Sequence, residues 1–186
     1  MLCELLDLSE IPEAFASAIL AGECNNLLRD YPGWEYMRDG KKYRCADNPF
    51  YAPSTQLEKW VRHNILEDEV HEVGIRFAYG SPQITSAGVH TDQTRNYVLQ
   101  YHLKTGNGKL CYWQKKGSNF YIGEKYTLVK DYSELDLKET YEVPLRTWHL
   151  LDARVLHSVE DLNDVRISLQ VSLNTIPNCL MGKFDV

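Results

Sequence analysis

Residues 88–103, GVHTDQTRNYVLQYHL, join a candidate metal-ligand pair to the pattern of a β-strand. After the His-Thr-Asp triplet, apolar and polar residues alternate, which is the period of a strand with one buried face. The other face of this strand carries Asn96, Gln100 and His102. Such a polar face either meets solvent, as is common in antiparallel sheets, or lines a pocket. The stretch therefore predicts a half-buried strand and leaves the role of its polar face open.

A second strand, near the end of the chain, has the same two-faced pattern. In residues 155–173, VLHSVEDLNDVRISLQVSL, apolar and polar side chains again alternate. The apolar set is Ile167, Leu169, Val171 and Leu173, and the polar set is Arg166, Ser168, Gln170 and Ser172. In a rolled β-fold, the apolar faces can pack against outer helices while the polar faces look into the barrel. Because both polar faces lie near candidate ligands in sequence, we favour a pocket over solvent.

Three residues in these two stretches have the chemistry of a mononuclear iron site. Two imidazoles, from His90 and His157, and one carboxylate, from Asp92, suit Fe(II) and leave coordination positions open for a co-substrate and O₂. The one-residue gap in His-x-Asp puts both side chains on the same side of an extended segment. Nine positions after the second histidine, Arg166 offers a planar fork for a carboxylate, and Ser168 adds a hydroxyl on the same face.

The combined pattern HxD…H…RxS, over roughly residues 71–174, resembles the Fe(II)/2-oxoglutarate-dependent oxygenase superfamily. An apolar residue followed by His-Ser-Val, with Arg nine positions after the His, is similar to its prolyl-hydroxylase-like branch. The turn GNGKL, residues 106–110, resembles the glycine-rich turn that this branch places between two barrel strands. The resemblance implies a double-stranded β-helix, which is a jelly-roll, cupin-like barrel.

The same resemblance implies roles for individual residues. His90, Asp92 and His157 are expected to hold iron as the catalytic centre, and Arg166, helped by Ser168, to bind the distal carboxylate of 2-oxoglutarate. Four further polar residues are candidates for contacting this co-substrate: His102, Gln100, Tyr79 and Asn96. Members of the superfamily that transfer halide have a small residue in place of the carboxylate ligand. Because this chain keeps the carboxylate, hydroxylation is favoured over halogenation.

The period of the apolar residues predicts a mainly β fold with N-terminal helices, formed by residues 1–186 as a single domain. Residues 1–70 are interpreted as a helical and loop support region, because their apolar residues recur at helical spacing. From about residue 71 the period changes to two, and we expect about eight short strands. Residues 71–174 therefore form the predicted β-barrel core, and residues 175–186 a C-terminal tail.

Two helices are predicted in the support region. Ser9 can cap the first and Gly22 can end it, while the capping box TQLE at 55–58 begins the second. Between them, residues 31–53 are aromatic, turn-rich and irregular. Such a segment is either a cover over the substrate or a loop held by its own side chains, and the sequence leaves both open.

The composition limits the class of protein. A hydrophobic content of 44%, a charged content of 25% and a net charge of −6 are typical of a soluble globular chain and make nucleic acid an unlikely partner. Five cysteines without a C-x-x-C motif argue against a disulfide framework and indicate a reducing compartment. The chain shows neither a signal peptide nor an apolar run long enough for a membrane span, so a cytoplasmic location is expected.

Three classes of function are compatible with these features. The leading hypothesis is an Fe(II)- and 2-oxoglutarate-dependent dioxygenase that hydroxylates a small amino-acid-like metabolite or a peptidyl residue and releases succinate and CO₂. The chain is short for this family, which favours a small molecule or a peptide end as substrate. The alternatives are a cupin-like metal-dependent isomerase or hydrolase, which has no use for Arg166 as a carboxylate fork, and a non-catalytic β-barrel binding module. The oligomeric state stays open.

Overall fold

The computed structural model describes residues 2–118 and 127–183, which contain two α-helices and twelve β-strands. The helices are α1 (Glu13–Leu20) and α2 (Thr55–Ile65). The strands are β1 (Cys3–Leu6), β2 (Leu27–Arg29), β3 (Glu35–Arg38), β4 (Lys41–Arg44), β5 (Phe50–Tyr51), β6 (Glu72–Tyr79), β7 (Tyr97–Lys104), β8 (Lys109–Lys115), β9 (Leu135–Tyr141), β10 (Trp148–Asp152), β11 (His157–Glu160) and β12 (Val165–Leu173). Neither helix is long and apolar enough to cross a membrane within these described residues.

The strands form two main antiparallel sheets and one hairpin. The large sheet has seven strands in the order β1-β10-β7-β12-β6-β5-β2, and the small sheet has three in the order β11-β8-β9. The strands β3 and β4 pair only with each other. A cavity lies between the two main sheets, since side chains of β6, β7 and β12 line it together with side chains of β8 and β11. The fold is therefore mainly β, with the two-sheet arrangement of a jelly-roll barrel.

Both helices pack on the outer face of the large sheet. Leu57, Val61 and Ile65 of α2 and Ile19 of α1 belong to one buried apolar cluster. The same cluster contains the apolar residues of three central strands: Val73, Ile75 and Phe77 of β6, Leu99, Tyr101 and Leu103 of β7, and Ile167, Leu169, Val171 and Leu173 of β12. Burial of each such aliphatic side chain stabilises the fold by about 1.5–3 kcal/mol. The alternation of the strands thus directs one face to the helices.

The inner face of the large sheet lines the cavity. The polar residues of β12, which are Arg166, Ser168, Gln170 and Ser172, all contribute to its wall, as does Gln100 of β7. This confirms the predicted pocket for the polar face of β12 and for Gln100 of β7, whereas Asn96 and His102 do not line the cavity. The large sheet therefore has one apolar and one polar face, and its polar face is covered by the small sheet instead of facing solvent.

A tight turn between β7 and β8 corresponds to the glycine-rich GNGKL motif. Gly106 and Asn107 both have a φ of 59°, and the N–H of Gly108 donates to the carbonyl of Thr105 at 3.0 Å, which is the geometry of a type I′ turn. A Cβ on Gly106 would lie 2.5 Å from the carbonyl oxygen of Asp164, so only glycine fits at this position. The turn therefore fixes the approach of the two sheets, because β7 belongs to the large sheet and β8 to the small one.

The first 70 residues contain more strand than their sequence pattern predicted. The strands β1, β2 and β5 extend the large sheet, and β3 and β4 form a hairpin within the segment 31–53 that was expected to be irregular. At the hairpin tip, Asp39 and Gly40 have φ values of 51° and 71°, which is the geometry of an Asp-Gly turn. Residues 1–70 are therefore a mixed region with two helices and five strands, and part of it belongs to the barrel sheet.

The helix caps also differ from the expected ones. The side chain of Ser54 accepts a hydrogen bond from the backbone N–H of Leu57 at 3.2 Å, so Ser54 caps α2 and Thr55 is its first residue. Helix α1 begins after Pro12, and Ser9 does not cap it. Gly22 does end this helix as predicted, because its φ of 84° is a left-handed conformation that favours glycine.

Candidate metal centre and cavity

The two histidines of the candidate site lie opposite each other on paired backbone segments. The N–H of His90 donates to the carbonyl of His157 at 3.0 Å, and the N–H of His157 donates back at 2.9 Å. Their rings are 4.6 Å apart between centroids. The next ligand candidate is held by the same backbone network, because the N–H of Asp92 donates to the carbonyl of Ala153 at 2.9 Å. Strand pairing therefore brings together residues that are far apart in sequence.

The ring orientations leave one nitrogen of each histidine available to a metal. Nδ1 of His90 lies 2.9 Å from the carbonyl oxygen of Gly88, and Nδ1 of His157 lies 2.8 Å from that of Val155. A carbonyl only accepts, so each Nδ1 carries the proton and each Nε2 has a free lone pair. The Oδ1 atom of Asp92 is 3.3 Å from Nε2 of His90 and 3.9 Å from Nε2 of His157. One ligand atom from each residue lies within 4.8 Å of the others, which makes this cluster able to hold a metal ion.

The carboxylate is kept charged by its surroundings. Burial alone would raise the pKa of Asp92, but the positive charge of Arg95 and the interactions with the two imidazoles outweigh it and hold that pKa well below its usual value. Nε of Arg95 donates to Oδ2 of Asp92, which leaves Oδ1 on the side of the histidines. Burial, followed by the charge of His90, lowers the pKa of His157 to about 4. The cluster therefore presents an anionic carboxylate and a neutral imidazole, which are the ligand forms that a metal requires.

Arg95 is a site residue that the sequence reasoning missed. Besides Asp92, its guanidinium donates to Oε1 of Gln170 at 3.1 Å and to Oγ of Ser172 at 3.4 Å. Arg95 thereby connects the segment that contains Asp92 to the inner face of β12. The available signal was its position three residues after Asp92, which places an oppositely charged group within reach in a turn.

The cavity beside this cluster has a volume of about 420 Å³. Small-molecule sites in proteins usually fall between roughly 300 and 1,000 Å³. Tyr31, Pro32 and Trp34 line it from the front segment, and the ring of Trp34 meets that of His90 edge-on at 5.9 Å. Part of the segment 31–53 thus forms a wall of the cavity. Its role as a cover that responds to substrate stays a prediction.

Arg166 is buried in the cavity wall, with 6% of its surface exposed. It donates from Nη1 to the carbonyl of Gly108 at 3.2 Å and from Nη2 to Nε2 of His102 at 2.9 Å. Among the described residues, no Asp or Glu lies within ion-pair distance of its guanidinium. Burial lowers its pKa to about 10, so it stays charged at neutral pH. Ser168 lines the same wall, and its hydroxyl accepts from Nε2 of Gln170 at 3.0 Å.

The four additional candidates occupy different places. Gln100 lines the cavity, whereas His102 lies behind it, fully buried against Arg166. Tyr79 is on the helix-side face of β6, stacked on Phe77 and 48% exposed, because odd-numbered residues of that strand point away from the cavity. Asn96 is outside the cavity as well, since its amide donates to the carbonyl of Asn174 at 2.8 Å. Contact of Tyr79 or Asn96 with a co-substrate in this cavity is therefore not supported.

The β3–β4 hairpin carries four basic residues at the protein surface. Lys42 pairs with Glu35 at 2.7 Å, and Arg44 pairs with Asp47 at 3.1 Å. Arg38 reaches Glu160 at 3.3 Å. All four basic residues, Arg38, Lys41, Lys42 and Arg44, are exposed on the β3–β4 hairpin. This group of basic residues is thus a solvated surface with local ion pairs.

Comparisons with known proteins bear on the fold. The chain matches no protein-family model, and no curated protein matches it in sequence. Among solved structures, it is similar to SnoK, a non-heme alpha-ketoglutarate-dependent carbocyclase from nogalamycin biosynthesis, at 13% identity and a TM-score of 0.50, over 86% of this chain and 71% of that one. The chain therefore shares the overall fold of that structure, and at this identity the likeness extends to the fold alone.

Two further solved structures are similar at lower scores. One is the ribosomal oxygenase YcfD of Escherichia coli, at 14% identity and a TM-score of 0.40, over 90% of this chain and 44% of that one. The other is the cupin domain of CENP-C from Drosophila melanogaster, at 10% identity and a TM-score of 0.35, over 86% and 94%. The structural neighbours thus include 2-oxoglutarate-dependent oxygenases as well as a cupin domain.

Proposed function

We propose that this protein is an Fe(II)- and 2-oxoglutarate-dependent oxygenase that hydroxylates a small molecule. One observation carries the proposal: the His90–Asp92–His157 cluster and the buried guanidinium of Arg166 face the same cavity. A β-barrel protein that only binds a metal needs the His90–Asp92–His157 cluster but has no need of a buried arginine. A dicarboxylate co-substrate that meets the metal at one end needs a cation at the other, and Arg166 supplies it.

The donor set fits iron(II). Two imidazole nitrogens and one carboxylate oxygen form the facial set that non-heme iron oxygenases use, with further positions left for other ligands. The Nδ1 bonds to backbone carbonyls and the Arg95–Asp92 contact fix the orientation of these side chains. Such outer contacts maintain the geometry of a metal site. We assign His90, Asp92 and His157 as the iron ligands.

When bound, iron(II) together with 2-oxoglutarate and O₂ supplies the oxidation of a substrate C–H bond to an alcohol, with succinate and CO₂ as the other products. The protein contributes position and environment. Arg166 holds the distal carboxylate of the co-substrate, with Ser168 and Gln100 beside it on the cavity wall. Trp34 packs edge-on against His90 and excludes water from one side of the site. The 420 Å³ cavity leaves room for a co-substrate and a small substrate.

The finer assignments belong to the same proposal. The His-Ser-Val segment, the nine-residue spacing to Arg166 and the GNGKL turn support the prolyl-hydroxylase-like branch. Asp92 supports hydroxylation, because the carboxylate is retained. We further propose that the protein is cytoplasmic, in line with its unpaired cysteines. A cupin-like isomerase or hydrolase remains the alternative, and it leaves the burial of Arg166 beside the metal cluster without a use.

Two measurements test the proposal. Protein purified without oxygen is titrated with Fe(II), and the loaded protein is then assayed for succinate released from 2-oxoglutarate upon addition of O₂. The Arg166→Lys variant keeps the charge and loses the planar fork, so its 2-oxoglutarate affinity should fall by about 10- to 100-fold with iron affinity unchanged.

Metal binding without succinate release or 2-oxoglutarate binding would favour the cupin-like alternative. Absence of metal binding would favour the third class of function, a non-catalytic β-barrel binding module. If Arg166→Lys binds 2-oxoglutarate as tightly as the wild type does, the carboxylate lies elsewhere and the main support for the proposal is lost.

A further inference from the structure

The cavity contains more positive charge than one co-substrate explains. Four arginines line it: Arg29, Arg76, Arg95 and Arg166. Two of them have carboxylate partners, because Arg29 pairs with Glu72 and Arg95 pairs with Asp92. Among the described residues, neither Arg76 nor Arg166 has an Asp or Glu within ion-pair distance. The wall therefore holds two guanidinium groups whose charge no side chain of the described chain neutralises by contact.

Arg76 is held in the cavity wall by contacts with the backbone and with two aromatic rings. It lies on the cavity face of β6, directly across from Ser168 of β12. Its Nη1 donates to the carbonyl of Asn48 at 2.9 Å. Its Cζ atom lies 4.8 Å from the ring centre of Tyr31 and 4.7 Å from that of Phe50. Ring contacts use the faces of a guanidinium and leave N–H groups at its edge, which is the part that binds a carboxylate.

The electrostatic setting of Arg76 favours an added anion. Burial, followed by the nearby charge of Arg95, lowers the pKa of Arg76 to about 10, so the group is still protonated at neutral pH. Asp92 acts in the opposite direction but is already bonded to Arg95. A partly buried cation without a carboxylate partner is costly, and an anionic ligand in the cavity removes that cost.

The co-substrate does not account for this second guanidinium. Of its two carboxylates, one belongs to the end that meets the metal and the other is assigned to Arg166. We propose that Arg76 binds a carboxylate of the primary substrate, so that this substrate is a small carboxylic acid such as a free amino acid. The inference rests on the proposed function and adds the chemical class of the substrate to it.

The test uses protein loaded with Fe(II) and saturated with 2-oxoglutarate in the absence of O₂, so that binding is measured without turnover. The probes are the twenty free L-amino acids and the matching L-amino acid amides, in which the carboxylate is replaced by a neutral group of the same shape. Melting-temperature shifts identify the members that bind, and calorimetry gives their affinities. At least one acid should bind to the wild type, and its amide should bind at least about 10-fold more weakly.

Two variants assign the effect to Arg76. Arg76→Gln should weaken binding of the acid by about 10- to 100-fold, leave binding of the amide unchanged and leave the affinity for 2-oxoglutarate unchanged. Arg29→Gln is the matched control. It removes a positive charge from the same cavity wall, but Glu72 already neutralises that charge in the wild type. It should preserve the preference for acid over amide.

Each alternative outcome overturns the inference. If Arg76→Gln weakens binding of 2-oxoglutarate, the arginine serves the co-substrate. If acid and amide bind equally, or if Arg76→Gln binds the acid like the wild type, the arginine is a packing residue between two rings. Binding of none of the acids also contradicts it. If the wild type binds neither iron nor 2-oxoglutarate, the proposed function itself is wrong. This result is obtained at the loading step, before any amino acid is added, so it is distinguished from a failure of the inference about Arg76.

Discussion

Nη2 of Arg166 lies 2.9 Å from Nε2 of His102, and this contact places an imidazole directly behind the guanidinium assigned to 2-oxoglutarate. Arginine only donates, so Nε2 of His102 is the unprotonated acceptor. Burial, followed by the charge of Arg166, holds the pKa of His102 well below its usual value, which keeps the ring neutral. The ring of His149 stacks on that of His102, with ring centroids 4.8 Å apart. We therefore propose that His102 positions the guanidinium of Arg166.

Replacement of His102 should reduce co-substrate affinity without touching the metal. His102→Leu removes the acceptor of Nη2, and we expect 2-oxoglutarate binding to weaken by about 10-fold, on the order of 1.5 kcal/mol for a hydrogen bond to a charged group. His102→Gln keeps a side-chain carbonyl and should restore most of the affinity. Calorimetry on the iron-loaded protein without O₂ measures both. Equal weakening in the two variants would indicate a packing role only.

Alanine at each iron ligand should abolish metal binding and preserve the fold. We expect His90→Ala, Asp92→Ala and His157→Ala each to lower Fe(II) affinity by more than about 100-fold, because loss of outer contacts alone lowers metal affinity by 10- to 100-fold. Anaerobic metal titration gives the affinity, and circular dichroism monitors the fold. His63→Ala, at a side chain that is 75% exposed, is the control. Normal iron binding in any two of the three variants would exclude the triad.

The contact between Arg95 and Asp92 should contribute to metal affinity although Arg95 is not a ligand. Arg95→Leu removes the donor that orients the carboxylate, and a loss of about 10- to 100-fold in Fe(II) affinity is expected. Arg95→Lys retains the charge and should lose less. Arg44→Leu breaks an exposed ion pair with Asp47 and serves as control in the same titration. A wild-type affinity in Arg95→Leu would show that the loop backbone alone holds Asp92 in place.

The contribution of Glu160 to the free energy of unfolding should decrease as the pH rises. Glu160 is 7% exposed, and its Oε1 accepts from the hydroxyls of Ser158 at 2.6 Å and Ser86 at 2.9 Å. Burial raises its pKa above the usual 4.5 despite these hydrogen bonds. The folded state therefore binds this proton more tightly than the unfolded state, so the contribution of the protonated form to stability is lost as the pH rises through the folded-state pKa.

The Glu160→Gln variant isolates this effect because it cannot titrate. The unfolding free energy of the wild type minus that of Glu160→Gln should decrease as the pH rises from 4.5 upward. Urea denaturation over a pH series measures the difference. A difference that is constant with pH, or that increases, would mean that the ion pair with Arg38 outweighs the burial of the carboxylate.

Much of the barrel interior could be predicted from the sequence because strand alternation is a local property. The faces of β7 and β12 follow directly from their period of two, and so does the separation of Gln100 and Arg166 from the apolar core. The Asp39-Gly40 turn was also readable, since Asp-Gly is a strong signal for a two-residue hairpin. The strands on either side of it have only four residues each, which is too short for their alternation to stand out among the surrounding aromatic residues.

The pairing of distant strands and the environment of each polar side chain were decided by the tertiary structure. The strand β1 pairs with β10 across most of the chain, and no local pattern specifies such a partner. In sequence, Arg76 is one polar residue in the alternating pattern of β6, and nothing in that pattern sets it apart. Its place in the cavity, without an acid beside it among the described residues, results from the closure of the barrel.

The sequence by itself determined the candidate ligand types, His90, Asp92 and His157, and the faces of β7 and β12, because both depend on residue chemistry and near-neighbour spacing. The tertiary structure alone decided which charges are paired. Arg95 is bonded to Asp92, whereas Arg76 and Arg166 have no acid within reach among the described residues. The physical reason is that an ion pair depends on distances between side chains in three dimensions, and those distances are set when the two sheets close around the cavity.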